Sequence, residues 1–395
     1  MVNKYARITG GADKQCMALA ASLRGLGHEV AFLATASSAN AEVEGVFVPT
    51  LVTHETRGTL SMPEQLRVFR DAVWNRDAAT AMERLIADFR PDVVHAHKLY
   101  PQLSVAPIRK ARARGLPIVQ TLHDYEFIAA NPFDATGGLR DHESPRRSYR
   151  VLNTATYGVR RALHVPAVTQ WIAVSSFVAQ AYARRGIKTT VIPNFADSEP
   201  AASPRPLESR TGILFLGALS TVKGLHDVLA VARKHPSLSV VIAGRGPLRE
   251  LVVAEAAKLD NVEFKGHLDA EAVAGEIAAA RIVVVPSHWE EPGSLVALEA
   301  MAAGTPLVAY ARGGLSEYVG GSGAGLAIEA DWRALASACL ELIADTDLWW
   351  RCANAGLQAS RERFSRASHI EAVLRVYERA LASRRRLAER GSDHA

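Results

Sequence analysis

The chain has 395 residues, of which 48% are hydrophobic and 22% are charged, and this length is enough for two α/β domains, each with its own core. The net charge is only +5 and the basic residues are scattered, which argues against nucleic acid as a partner. The three cysteines, Cys16, Cys339 and Cys352, lack CxxC spacing, which argues against a disulfide framework. No apolar stretch reaches the length of a signal peptide or of a membrane span. We therefore expect a cytoplasmic protein without stable membrane insertion.

Short β-branched runs alternate with longer amphipathic stretches along the first half of the chain, which indicates βαβ units around a parallel sheet. Strands are predicted at residues 30–33, 46–48, 93–95, 118–122, 171–174 and 190–192. Helices are predicted at residues 14–26, 64–89, 103–114 and 178–185. We expect a doubly wound, Rossmann-like domain over residues 1–196. Only Met1 and Val2 precede Asn3, so its first strand is very short, which leaves open a start further upstream.

A polar, Pro-rich segment at residues 197–210 interrupts this pattern and is predicted to be a linker. The pattern then restarts, with strands predicted at residues 212–216, 239–243, 262–265, 282–285 and 306–309. We expect a second Rossmann-like domain over residues 211–368, followed by a helical segment at 369–390. Its amphipathic part, at residues 370–381, could pack on either domain. The predicted fold class is therefore α/β, with two doubly wound domains facing a cleft.

Two glycine-containing turns are candidates for phosphate binding. Gly10 and Gly11 precede a predicted helix, and the absence of side chains there lets a phosphate or sugar approach the positive helix end. An ordinary tight turn is, however, the more common reason for two adjacent glycines. Gly217 ends a predicted strand and Lys223 follows six residues later, where its ammonium could bind departing phosphate oxygens. A solvated loop lysine is the alternative for Lys223.

The third candidate follows the predicted strand at residues 282–285. Pro292, Gly293 and Ser294 form a helix start whose free N–H groups can bind phosphate or sugar oxygens. Glu291 and Glu299 flank this anion-binding end, so they would be unfavourable there unless they accept hydrogen bonds from hydroxyls such as those of ribose and a sugar. Acids favoured by the helix dipole would explain Glu291, but they explain Glu299 less well.

The fourth candidate is a histidine at the carboxyl end of a predicted strand, where α/β proteins commonly bind ligands. This is His123, which Asp124 follows directly. A histidine whose hydrogen bonds are satisfied within the core is an equally good alternative. The position alone therefore marks His123 as a candidate without deciding its role.

The sequence contains two groups of metal-binding residue types, and neither completes a site. His95 and His97 lie on one face of a predicted strand and could join His123 around zinc, but no carboxylate motif accompanies them. Asp345 and Asp347 precede an apolar stretch and are better explained as a helix cap than as metal ligands. We therefore predict that no metal or other cofactor is required.

An oxidoreductase would need the three-glycine fingerprint of dinucleotide binding. Gly244 and Gly246 begin such a pattern, but Arg249 stands where the third glycine is needed. An oxidoreductase is therefore a poor interpretation of the second predicted domain.

Taken in order, these features resemble the large family of retaining glycosyltransferases of the GT-B fold that includes bacterial mannosyltransferases and sucrose-phosphate synthases. The resemblance covers essentially the whole chain, and its motifs are specific as an ordered set although most are weak singly. The motifs are Asp92-Val-Val-His95-Ala-His97, Thr121-Leu-His-Asp124, Ala173-Val-Ser175, Val191-Ile-Pro-Asn194, Ala243-Gly-Arg-Gly-Pro247, Val262-Glu-Phe-Lys-Gly266, and Glu291 with Glu299 followed by Ala-Met-Ala-Ala-Gly304.

The resemblance implies metal-independent transfer from a UDP- or GDP-linked sugar with retention of configuration, and a C-terminal helix that crosses back to the first domain. It implies catalytic roles for His123 near the anomeric carbon, Lys223 at the diphosphate and Glu291 facing the transferred sugar. Glu299 would hold the ribose hydroxyls. The implied donor-binding residues are Gly10, Gly11, Gly217, Lys223, Gly266, Pro292, Gly293, Ser294, Leu295 and Glu299.

The acceptor side of the cleft is expected to be shaped by the long, turn-rich segment at residues 126–150. The residues placed there are Asp124, Arg140, Arg146 and Arg147. Their arginines permit an anionic acceptor without requiring one. We expect a small soluble acceptor, as in antibiotic biosynthesis, and a monomer or homodimer. A cell-envelope or lipid-linked acceptor and a non-catalytic GT-B partner subunit remain alternatives.

Two departures from the family pattern affect the predicted donor site. Ala218 stands where the family usually has an arginine that helps the lysine neutralise the diphosphate, so that charge must come from elsewhere. Where the family often has Glu-x-Phe-Gly, this chain has Glu291 followed by Pro-Gly-Ser, which leaves the donor sugar unassigned.

Overall fold

The computed structural model describes residues 1–37, 40, 43–50, 61–130 and 147–392. Over these residues the chain forms parallel sheets covered by helices, in two domains, so the predicted α/β class is confirmed. The sheet strands are rich in Val, Ile, Leu and Ala, as expected for parallel strands buried on both faces.

The strands of the first domain are β1 (Phe32–Thr35), β2 (Gly45–Val48), β3 (Val94–Ala96), β4 (Ile118–Leu122), β5 (Gln170–Ala173) and β6 (Thr190–Val191). β1 pairs with β2, and β3 to β6 pair in chain order. Val2 joins the two groups through parallel bridges to Leu33 and Ala96. The short first strand expected from Met1 and Val2 is thus a single bridging residue at the centre of the sheet.

The helices of the first domain are α1 (Gly11–Gly25), α2 (Met62–Val73), α3 (Arg76–Phe89), α4 (Ala106–Ala113), α5 (Arg147–His164) and α6 (Ser176–Ala183). The single helix predicted over residues 64–89 is wrong, because α2 and α3 are separate. Trp74 is extended, and the Asn75 side chain accepts a hydrogen bond from the backbone N–H of Ala78 at 3.0 Å. This N-cap starts a new helix.

The strands of the second domain are β7 (Thr211–Leu216), β8 (Val240–Ala243), β9 (Val262–Gly266), β10 (Ala280–Val285), β11 (Leu307–Tyr310) and β12 (Gly325–Ile328). They pair in the order β12-β11-β10-β7-β8-β9. β12, which the sequence analysis did not predict, is a four-residue edge strand whose side chains are only partly buried. Two of its four residues, Gly325 and Ala327, are of types that are depleted in strands, so its strand signal in the sequence is weak.

The helices of the second half are α7 (Leu225–Lys234), α8 (Arg249–Ala256), α9 (Ala270–Ala279), α10 (Leu295–Ala302), α11 (Trp332–Ala344), α12 (Thr346–Glu362) and α13 (Arg366–Ser392). Polar side chains cap several of them. Asp345 accepts the backbone N–H of Leu348 at 2.8 Å, so the predicted helix cap is confirmed.

The C-terminal helix α13 packs against the first domain. Ile370, Val373 and Val376 are buried in the same cluster as Leu19 of α1 and Val119 of β4. None of the helices in the described ranges combines the length and apolar character that a membrane span requires.

The Pro-rich segment between β6 and β7 ends on a buried anchor. Arg210 is 3% exposed and donates hydrogen bonds to the backbone oxygen of Ala280 at 3.0 Å and to Thr305 Oγ1 at 2.7 Å. Its guanidinium also lies 5.1 Å from the centre of the Trp349 ring, and burial lowers its pKa to about 10. The segment is therefore fastened to the second domain where β7 begins.

Replacing Arg210 by methionine is expected to lower the free energy of unfolding by about 2–4 kcal/mol, because buried acceptors lose a charged donor. Chemical denaturation followed by far-UV circular dichroism measures this change. Arg205→Met, at an exposed side chain of the same segment, is the matched control and should shift stability little. Equal stability of the two variants would contradict an anchoring role for Arg210.

Candidate active site

A cavity of about 720 Å³ lies between the two domains. Its walls are the loop before α1, the ends of β4 and β5, and, from the second domain, the ends of β7, β8 and β10 with the start of α10. The predicted site residues that line it are Gly10, Gly11, His123, Gly217, Lys223, Glu291, Pro292, Gly293, Ser294, Leu295 and Glu299. The fold thus brings together residues from both halves of the chain.

The remaining predicted residues lie elsewhere. Gly266 ends β9 outside the cavity wall, although the two residues after it contribute to that wall. Asp124 is buried behind the wall rather than in it. Arg140 and Arg146 lie outside the described residues, and Arg147 begins α5 with a side chain that also lies outside them.

Two glycines allow close backbone approach at this cavity. A Cβ on Gly11 would lie 3.3 Å from Leu295 Cδ1, so the first loop of one domain contacts the start of α10 in the other. Gly224 has φ of 75° and follows Lys223, and a Cβ there would lie 1.8 Å from the Pro286 carbonyl oxygen. Glycine is therefore required for the turn that presents Lys223.

Each of the two predicted glutamates is bonded to a lysine. The ammonium of Lys223 donates to the carboxylate of Glu291, whose side chain is almost fully buried, and it lies 5.6 Å from the centre of the Trp289 ring. Lys14 Nζ lies 2.5 Å from Glu299 Oε1 and connects α1 of the first domain to α10 of the second. Four charged groups therefore face one cavity in two ion pairs.

Lys14 was not predicted as a site residue. It lies in the first turn of α1, where the helix dipole disfavours a positive charge. That conflict with local preference, three residues after Gly11, is the signal that could have identified it. Arg245 also lines the cavity, and in the sequence its only distinguishing feature is its place between Gly244 and Gly246.

The start of α10 combines a side-chain cap with a fixed loop before it. Ser294 Oγ accepts the backbone N–H of Ala297 at 3.2 Å, so this hydroxyl serves as the N-cap. The carbonyl of Glu291 accepts the N–H of Gly314 at 2.6 Å, and a Cβ on Gly313 would lie 2.4 Å from that carbonyl oxygen. The start of α10, which lines the cavity, is thereby fixed in position.

Three histidines form a row that reaches the cavity from the core of the first domain. The rings of His95 and His97 stack with centroids 4.3 Å apart, and His97 Nδ1 lies 2.9 Å from His123 Nε2. Burial lowers the pKa of His123 to about 3 and holds those of the other two well below their usual value. All three are therefore neutral near pH 7, and His123 can act there as a hydrogen-bonding group.

The three histidines do not form part of a complete metal site in the described part of the chain. Across that part, no group of three or more His, Cys, Asp and Glu side chains is arranged to hold a metal ion. The carboxylates of Glu291 and Glu299 are instead bonded to lysines, as described above.

Comparison with known proteins connects this geometry to a family. Residues 9–200 match the model of glycosyltransferase family 4, and residues 199–359 match the model of glycosyl transferases group 1. The chain belongs to the group 1 glycosyltransferases. The predicted family is thereby confirmed, and the cavity between the two matched regions is the candidate site for a nucleotide sugar.

Relatives of this glycosyltransferase align over most of their length. It is 29% identical over 394 residues to the glycogen synthase of Mycobacterium tuberculosis, covering 94% of this chain and 91% of the relative. It is 29% identical over 332 residues to the 2-deoxystreptamine N-acetyl-D-glucosaminyltransferase of Streptomyces fradiae, covering 78% and 76% respectively. Its structure is similar to sucrose-phosphate synthase of Thermosynechococcus elongatus, with a TM-score of 0.70, 22% identity and coverage of 95% and 94%, which confirms the GT-B fold.

The predicted acceptor side of this glycosyltransferase contains a charged cluster around the buried Asp124. Lys98 Nζ lies 2.8 Å from Asp124 Oδ2, and Asp124 Oδ1 accepts the N–H of Glu126 at 2.9 Å. Burial and the charge of Asp124 raise the pKa of Glu126 to about 8. Burial opposes the charge of Lys98, but the neighbouring carboxylates outweigh it and raise the pKa of this lysine. Asp124 is therefore engaged within the protein, and contact with an acceptor stays a prediction.

Proposed function

We propose that this glycosyltransferase moves a sugar from a UDP- or GDP-linked donor to a small soluble acceptor, with retention of the anomeric configuration and without a metal ion. We also propose that it acts in antibiotic biosynthesis. The observation that carries the proposal is the pairing of Lys223 with Glu291 beside the start of α10, within a cavity of about 720 Å³. That volume falls within the range of small-molecule sites.

Donor binding follows from the charges at the cavity. The ammonium of Lys223, whose side chain is 30% exposed, can turn from Glu291 to the oxygens of a diphosphate. The N–H groups in the first turn of α10, apart from that of Ala297, which Ser294 caps, can provide a second set of donors for those oxygens. Both stabilise the negative charge that grows on the diphosphate as the glycosidic bond breaks.

Retention follows if the acceptor hydroxyl attacks from the face that the diphosphate leaves. A departing phosphate oxygen can then take the acceptor proton, so no separate protein base is needed. A pKa of about 3 suits His123 to hydrogen bonding beside the anomeric carbon rather than to proton abstraction near pH 7. Glu291 remains next to the transferred sugar as a hydrogen-bond acceptor.

The choice of a small acceptor is supported by a relative named for 2-deoxystreptamine. A transfer assay that offers UDP- and GDP-linked hexoses with 2-deoxystreptamine, and separately with a lipid-linked glycan, tests it. Product formed with the small acceptor, carrying the donor's anomeric configuration by proton NMR, would support the proposal. Transfer to the lipid-linked glycan alone would favour an envelope role, and binding of donor without any transfer or donor hydrolysis would favour a partner subunit.

A chelator is expected to leave the rate of transfer unchanged, because the lysines and the helix start supply the charge stabilisation proposed for the diphosphate. The rate is measured with excess EDTA and after adding back Mg²⁺ or Mn²⁺. A loss of activity that either ion restores would contradict metal independence.

A further inference from the structure

The proposed donor diphosphate needs more positive charge than Lys223 provides. Ala218 lies in the cavity wall and contributes none. Among the described residues of that wall, the side chains with a full positive charge are Lys14, Lys223 and Arg245. Arg245 is exposed at the rim, whereas Lys14 is only 21% exposed and is held across the cleft. Lys14 is therefore the better-placed second cation.

The packing of the first loop places Lys14 over α10. Gly11 contacts Leu295 at the start of this helix, which brings the first turn of α1 against it. Lys14 Nζ is bonded to Glu299 Oε1, four residues further along. With about 1.5 Å of rise per residue, that point lies about 6 Å from the helix start. The long lysine stem can move its ammonium over that distance.

The local structure of α1 does not account for a lysine at this position. A positive charge in the first helical turn opposes the helix dipole. Ion pairs that keep some exposure to water contribute little to stability. A phosphate arriving at the adjacent helix start would therefore compete well for this ammonium, because charge-assisted bonds to phosphate are strong.

We propose that Lys14 binds the donor diphosphate from the opposite domain and supplies the positive charge of the family arginine whose place Ala218 takes. This inference rests on the proposed function. In the ligand-free site Lys14 is paired with Glu299. When the donor binds, the Lys14 ammonium leaves Glu299 and bonds to the phosphate oxygens. Glu299 is then free to accept hydrogen bonds from the ribose hydroxyls. The two domains are then linked through the donor instead of through the ion pair.

The test measures the binding of UDP, GDP and the matching nucleosides, uridine and guanosine, by calorimetry and by ligand-observed NMR. Lys14→Met should weaken diphosphate binding about tenfold or more, and nucleoside binding should not weaken. Adding Ala218→Arg to this variant should restore most of the diphosphate affinity. Lys110→Met, which breaks a half-exposed pair with Glu83 away from the cavity, is the matched control and should bind like the wild type.

The alternative outcomes separate the two proposals. If the wild type binds UDP or GDP and Lys14→Met binds it equally well, the role of Lys14 is overturned while the proposed function stands. If Lys14→Met weakens nucleoside and diphosphate equally, Lys14 acts through Glu299 and not on phosphate, which also overturns the inference. If the wild type binds neither nucleotide, the proposed donor class itself fails. Thermal unfolding of each variant shows that its fold is retained.

Discussion

Replacing Lys223 by alanine is expected to slow sugar transfer about a hundredfold or more, because the leaving diphosphate loses its ammonium partner. Lys223 ends a short turn with its side chain 30% exposed at the cavity. It contributes to no hydrophobic cluster, so the loss should fall on turnover and leave the secondary structure intact. Steady-state kinetics with a saturating acceptor measure the effect.

The ion pair with Glu291 makes this experiment more discriminating. Glu291 is 5% exposed, so removing Lys223 alone leaves a buried carboxylate without its charged partner and lowers stability. The double variant Lys223→Ala with Glu291→Gln should recover that stability without recovering turnover. Lys234→Ala, at an exposed lysine of α7, is the control and should match the wild type. Near-normal turnover in Lys223→Ala would refute the assignment.

Replacing Glu299 by glutamine is expected to weaken donor binding, because each hydrogen bond to a ribose hydroxyl loses about 1–2 kcal/mol when its acceptor loses its charge. Two such bonds correspond to a decrease in affinity of about thirtyfold to a thousandfold. Fold stability should change little, since glutamine keeps the size of the side chain and can still accept a bond from Lys14. Titration of the wild type and the variant with UDP or GDP measures the loss.

A deoxy analogue identifies the contact that Glu299 makes. The wild type should bind the 2′-deoxynucleotide more weakly than the ribonucleotide, and Glu299→Gln should discriminate less between them. A wild type that binds both equally would show that Glu299 is not the ribose ligand. A variant that keeps the wild-type donor affinity would reduce Glu299 to the partner of Lys14.

All strands except β12 could be predicted among the described residues, because their signal is local. β4 has the predicted bounds, and β7 and β10 differ from prediction by one or two residues at the start, since each contains a short run of buried Val, Ile or Leu that is typical of a parallel strand. Where a single side chain competes with the periodic pattern, prediction failed. Asn75 interrupts the long helix predicted over residues 64–89, because its side chain caps α3.

The candidate site could be predicted where residue type and spacing carry the chemistry. Gly10, Gly11, Lys223, Glu291 and Glu299 all line the cavity, because glycine turns and helix starts lie at strand ends in any doubly wound sheet. Asp124 could not be placed in this way. Its position after β4 says nothing of Lys98, which neutralises it within the protein.

The sequence by itself determined the two parallel α/β domains and the glycines, lysine and glutamates that they present at strand and helix ends, because these depend on neighbours along the chain. The tertiary structure alone decided how those groups are paired. Val2 bridges two sets of strands, and Lys14 reaches Glu299 across 285 positions of sequence. Such contacts depend on how whole domains pack. Pairing at a cleft is set by distance in space, and hydrophobic periodicity carries no information about the distance between residues that are far apart in the sequence.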